Sequence, residues 1–139
     1  MSNQLEPLEV NGITPLQFIG KNCEALFCQE YWFEDVIIDT ANVIFLKFGE
    51  EWKKLYFDCG IVFWRNETKI PESYHAEELH SQHLVSNIGL KYGLLSKRLS
   101  AIELRPVIGG SEVILSFECG ALIVFRNIND VTTFTVFSG

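Results

Sequence analysis

Long apolar runs are missing from this sequence. Its longest, Ala121 to Phe125, is the size of a strand, whereas a membrane-spanning helix needs roughly 20 apolar residues. Cysteine is scarce: Cys23, Cys28, Cys59 and Cys119 are the only four in 139 residues. That density excludes a disulfide-stapled scaffold, and a chain of this length needs no staples to build a core. Four reduced, mostly buried thiols are expected. Positive charge is in deficit, with 11 Lys and Arg against 18 Asp and Glu and a net charge of −7. A general nucleic-acid binder needs the opposite balance. Catalytic signatures are missing as well: there is no G-x-S-x-G, no phosphate-binding P-loop, no G-x-G-x-x-G and no H-E-x-x-H. The opening MSNQLEPLEVNG has neither a basic nor an apolar leader region, so a cytoplasmic location is expected. No Pro/Ser-rich linker divides the chain, and residues 1–139 are expected to form one domain.

What the chain does contain is apolar bulk, 47% hydrophobic residues with 11 Phe, too much for a disordered chain. It also contains a repeat. Gly49 to Asn66, GEEWKKLYFDCGIVFWRN, matches Gly109 to Asn127, GGSEVILSFECGALIVFRN, at an offset of 60. Gly49 falls on Gly109, Leu55 on Leu115, Phe57 on Phe117, Cys59 on Cys119 and Gly60 on Gly120. One extra residue then brings Arg65-Asn66 onto Arg126-Asn127. A duplicated supersecondary unit is the reading, covering approximately 41–66 and 101–127.

The alternation within each copy is that of strands. Leu55, Phe57 and Cys59 alternate with Lys54, Tyr56 and Asp58, and Leu115, Phe117 and Cys119 with Ser116 and Glu118. This places both cysteines on a buried face. Gly60 and Gly120 permit a reversal, after which Ile61 to Trp64 and Ala121 to Phe125 read as strands buried on both faces. Val43 to Phe48 and Ile102 to Val107 supply an earlier strand in each copy. Two three-stranded antiparallel meanders, equivalent by a pseudo-two-fold, should therefore pack as one sandwich or curved sheet. The expected fold is mainly β, with one or two short helices. Thr14-Pro15 is a helix-start signal, and Pro71 and Ser73 predict a helix from Tyr74 to Leu84. Cys23 to Tyr31 fits helix or strand equally. Val36-Ile37-Ile38 is a short strand, Ile88 to Leu95 is strand or loop, and Val131 to Phe137 is a final strand.

Groups capable of chemistry do not assemble in the sequence. On the expected helix, His80 and His83 share a face but His75 does not, and two ligands do not make a tight zinc site. Glu77 or Glu78 would stand near them as a general base without the required spacing. Cys59 and Cys119 lie beside acids, which raise a thiol pKa and work against nucleophilic use. No enzymatic activity, cofactor or metal is expected. Lys91, Lys97, Arg98 and Arg105, with Glu103 the single acid among them, are read as balancing the acidic part of the chain, with binding of an anion or acidic partner as the alternative.

The net charge is unevenly placed. Residues 1–51 hold nine acids and two bases, and the remaining 88 residues are neutral. Between Glu24 and Asp39 five acids and no base interleave with Phe27, Tyr31, Trp32 and Phe33. Carboxylates steer a basic partner and aromatics supply contact energy. Glu24, Glu30, Tyr31, Trp32, Glu34, Asp35 and Asp39 are therefore the candidate partner-binding residues.

This character, together with CEALFCQEYWFED (Cys23 to Asp35) and WKKLYFDCGIVFWRN (Trp52 to Asn66), resembles the bacterial immunity proteins of contact-dependent inhibition and other polymorphic-toxin systems. The resemblance implies a binding protein that neutralises a cognate protein toxin by occluding its active site. It implies that the toxin is basic, as a cationic nuclease would be, and that neither nucleic acid nor membrane is a partner. The alternative is a small-ligand-binding β module or weak enzyme, with its site between the two repeat units beside Trp64 and Phe125.

Overall fold

The structure is a computed structural model and describes residues 15–138. It is mainly β, with two antiparallel sheets. A 3-10 turn over Pro15–Phe18 leads into β1 (Cys23–Phe33), β2 (Val36–Phe48), β3 (Glu51–Asp58) and β4 (Ile61–Glu67). Then follow β5 (Tyr74–Ala76), a 3-10 turn at Glu77–Leu79, β6 (Ser81–Asn87) and the single helical turn α1 (Ile88–Lys91). The chain ends with β7 (Leu99–Val107), β8 (Gly110–Phe117), β9 (Leu122–Ile128) and β10 (Val131–Phe137). The first sheet has the order β4-β3-β2-β1-β6-β5 and the second β10-β9-β8-β7.

Each repeat copy folds as an antiparallel meander, β2-β3-β4 in the first sheet and β7-β8-β9 in the second. The matched turn glycines share the left-handed conformation, Gly49 and Gly109 at φ 75° and 88°, Gly60 and Gly120 at 78° and 97°. Leu46, Leu55, Phe57 and Trp64 of one meander and Val113, Leu115, Phe117 and Phe125 of the other meet in a common apolar core. Phe18 closes one end, its ring stacked on Phe48 at 5.4 Å.

The sheets touch along a second seam. Ser111 Oγ donates to the Gly60 carbonyl at 2.6 Å, and the Cys59 N–H donates to Asp130 Oδ1 at 3.1 Å. Gly110 opens β8 at the same place, where a Cβ would collide with the Asn127 carbonyl on β9. The residue type there is fixed by backbone approach rather than by turn conformation.

Several expectations are corrected. Cys59 and Cys119 are exposed, not buried; the buried thiols are Cys23 and Cys28. The pleat ends at Asp58 and Phe117, and the cysteines fall in the turns beyond, Cys59 at φ 52°, where strand parity no longer applies. Tyr74 to Leu84 is not a helix but β5, a 3-10 turn and β6. Ser81 to Asn87 is drawn into the sheet because β1 offers a free edge there, register Tyr31↔His83. Cys23 to Phe33 is a strand. Ile88 to Lys91 forms a helical turn that the two glycines obscured, nucleated by Asn87, whose Oδ1 accepts the Leu90 N–H at 3.1 Å. Ile61 is exposed on the edge strand β4, so only Val62 and Trp64 of that run face the core. The cap expected at Thr14 lies outside the described residues.

Candidate functional site

β1 and β2 form a hairpin arm whose end lies beyond β3. β3 pairs only with Ile44 to Phe48 of β2, so the first part of β2 has β1 as its one ladder partner, while its Asp39 is held by β10. The arm closes at Glu34-Asp35, both in the left-handed region at φ 48° and 64°, as a two-residue hairpin turn of the right twist requires. Three consecutive apolar residues on a strand cannot share one face. Val36, Ile37 and Ile38 are accordingly 58%, 37% and 41% exposed, and Phe33 across from Val36 is 40% exposed. An apolar tip of four residues thus surrounds two exposed carboxylates.

The candidate partner residues separate along this arm. Glu34 and Asp35 sit at its end and are exposed. Tyr31 and Trp32 are half-buried on opposite faces of β1. Trp32 Nε1 donates to Glu30 Oε1 at 3.0 Å, which fixes both side chains. Tyr31 leans on His83 at 5.2 Å between ring centres. Glu24 is exposed but lies nine residues back, about 30 Å along the strand. Asp39 is turned inward and buried, accepting the Thr132 N–H at 3.0 Å. Burial raises its carboxyl above the ordinary 3.8. It therefore belongs to the packing between β2 and β10 and not to an exposed binding surface.

The 3-10 turn before β6 faces the arm. A polar cleft of about 580 Å³ lies between them, lined by Glu34, Asp35, His75, Glu77, His80 and Gln82. The sequence does not place Glu77 with the acidic segment, because the 41 residues between it and Asp35 hide the neighbourhood that β1–β6 pairing creates. The apolar tip was legible in part: FEDVIID carries a Glu-Asp turn between apolar runs.

The other candidate groups are dispersed. His75 and His80 line the cleft, whereas His83 is stacked on Tyr74 at 4.3 Å and is pushed below its ordinary 6.5 by burial. Cys23 is pushed up to about 12 by burial, and Cys59 is raised by its hydrogen bond to Asp58. A raised pKa leaves little thiolate at neutral pH. Asp58, Cys59 and Asp130 bring their ligand atoms within 4.8 Å of one another at two exposed turns. Of the basic stretch, Arg105 pairs with Glu112 at 3.2 Å and Arg98 with Glu118 at 3.9 Å. Trp64 and Phe125, named for a ligand site between the repeat units, are fully buried core residues. Among the described residues, no helix is long and apolar enough to cross a membrane.

The chain matches no family model, no curated protein and no solved structure.

Proposed function

We propose that this chain is a binding protein that neutralises a basic protein partner, in the manner of the toxin-neutralising immunity proteins its sequence resembles. The observation that carries the reading is the arm tip: Phe33 and Val36 to Ile38 stand exposed around Glu34 and Asp35. Folding alone gives no reason to expose four large apolar side chains together, and such patches mark interaction surfaces. The surrounding carboxylates select the sign of the partner. Glu34, Asp35 and Glu77 offer a cationic side chain a polar cleft, and the exposed apolar residues of the tip supply contact area beside it.

Asp39 and Glu24 are not part of this contact. The contact set is Glu30, Tyr31, Trp32, Glu34 and Asp35 from the original candidates, joined by Phe33, Val36, Ile37, Ile38 and Glu77. An enzyme's active site covered by this arm would lose access to substrate without any chemistry on the arm's side.

The experiment is co-expression. The product of the gene adjacent to this chain's own is expressed in a bacterial host, alone and with this chain. Growth arrest by that product, relieved by this chain and no longer relieved after Ile37→Asp with Asp35→Lys, supports the reading. Relief that survives the double variant contradicts the arm as the contact.

A further inference from the structure

β4 and β5 are the opposite edges of the six-stranded sheet, yet only residues 68–73 connect them. Glu67 lies in line with Trp52, Lys47 and Ala25, and Tyr74 in line with His83 and Tyr31, so the connection crosses the sheet and also shifts six residues along it. It passes as a strap over the face that carries Gln29 and Phe45. It is hydrogen-bonded at its ends. Glu67 Oε2 accepts the Thr68 and Lys69 N–H groups at 3.0 and 3.2 Å, and Ser73 Oγ accepts the Val85 N–H at 2.8 Å. Between Lys69 and Ser73 no hydrogen bond to another described residue holds it down.

A cavity of about 440 Å³ lies between strap and sheet. Its floor is Phe45 of β2 and Gln29 of β1, each only 8% exposed. Ile70, Pro71 and Tyr74 line its open side. Gln29 is the unexpected member. It is more than nine-tenths buried, and its amide makes no hydrogen bond with any described residue. Gln29 lines the cavity. A buried amide in that position has a donor and an acceptor to offer, and among the described residues nothing receives them.

We propose that this cavity is a binding site for a small, flat, uncharged ring bearing an adjacent hydrogen-bond donor and acceptor, the edge presented by a cyclic amide. The Phe45 and Tyr74 rings and Pro71 take the ring's faces. The Gln29 amide pairs with the donor–acceptor edge. Glu67 is occupied by the strap's N–H groups and by Lys54 at 3.7 Å. That leaves Lys69 and Glu72 with opposite signs at the rim, so the site has no net field to select a charged ligand. The volume lies in the usual range of small-molecule sites, about 300–1,000 Å³. The site is on a different part of the sheet from the arm tip and does not depend on the toxin-binding reading.

The test is an amide-proton NMR titration of the full chain with uracil, and separately with 2-pyridone. The expected result is a saturable shift of the Gln29 side-chain amide and of the Ile70 and Ser73 backbone amides for at least one probe. Gln29→Leu, which keeps the volume and removes the donor and acceptor, should weaken binding about tenfold or more. Should Gln29→Leu fail to fold, Tyr74→Ala on the open side must weaken the same titration. No saturable shift of the Gln29 amide with either probe overturns the proposal, as does unchanged affinity in the folded variant.

Discussion

The Thr132 N–H donates to Asp39 Oδ1 at 3.0 Å, tying the edge strand of the four-stranded sheet to β2 of the other sheet. Thr132 Oγ1 in turn accepts from Asn127 Nδ2 at 2.9 Å, so the bond continues into β9. An acid that the sequence places in a binding surface is instead a clamp between the two halves of the molecule. Its charge is costly there, since burial raises its pKa.

Two substitutions separate clamp from charge. Asp39→Asn keeps the acceptor and removes the buried carboxylate, so stability at pH 7 should hold or rise. Asp39→Ala strands the Thr132 N–H and should cost about 1–3 kcal/mol. The sign of the pH effect follows from the raised pKa. With both states protonated, below the ordinary 3.8, the group contributes no penalty. As pH rises, the unfolded chain ionises first, so stability falls until the folded pKa is passed and then levels off. Urea midpoints at pH 3.5 and 7 for the wild type and Asp39→Asn measure this. An Asp39→Asn protein markedly less stable than wild type at pH 7 would show the ionised carboxylate to be favourable.

Phe57 and Phe117 fill matched positions of the two meanders and are both buried in the common core. Either Phe→Ala change should cost about 3–5 kcal/mol through lost burial and the cavity left behind. That is a large share of the roughly 5–15 kcal/mol that holds a domain folded. Denaturant midpoints decide the matter. A small shift at one position and a large one at the other would show that the two sheets do not share the core evenly.

Glu112 stands nearly buried between Arg126 at 2.8 Å and Arg105 at 3.2 Å, on three adjacent strands. Both arginines are more than half exposed and can return to water when left alone. Glu112→Ala should therefore cost about 1–3 kcal/mol, whereas Arg105→Ala should cost less than about 1 kcal/mol. Added salt should narrow the Arg105 difference further. Thermal unfolding of both variants in low and high salt provides the check, and equal losses would contradict the asymmetry.

His83 is packed between Tyr74 and Tyr31, and burial lowers its pKa. Because burial lowers its pKa, the unfolded chain takes up the proton first as pH falls through about 6.5. The stability it contributes is present above that pH and declines as pH falls toward the folded pKa. His83→Phe keeps a ring for the stack and removes the proton uptake. The wild type should lose more stability than His83→Phe between pH 7.5 and 5.5 in urea titrations. Parallel losses would place the pH dependence elsewhere.

The sheets were legible wherever alternation and turn residues agreed. F-D-C-G and F-E-C-G located two meanders because Leu, Phe and Gly repeat at fixed spacing, and each meander is present. The same alternation misplaced Cys59 and Cys119, since parity holds only while the pleat lasts. Tyr74 to Leu84 looked helical in isolation because the reason for its being strand, the open edge of β1, lies about 50 residues away. The acidic segment was readable as a charge imbalance, but its division was not. Asp39 is withdrawn by Thr132, which is 93 residues distant. The strap cavity left no signal at all, because Gln29, Phe45 and Tyr74 become neighbours only through strand order.

The central claim is that the arm tip receives a basic partner, and association kinetics test it most directly. Binding of the adjacent gene's product would be followed at two salt concentrations for the wild type, for Asp35→Asn with Glu34→Gln, and for Ile37→Ala. The account predicts slower association and a flatter salt dependence for the charge-removed pair, since steering acts within a screening length of about 8 Å at physiological salt. It predicts faster dissociation with nearly unchanged association for Ile37→Ala. An on-rate and salt slope identical to wild type in the charge-removed protein, with unchanged dissociation from Ile37→Ala, would contradict it.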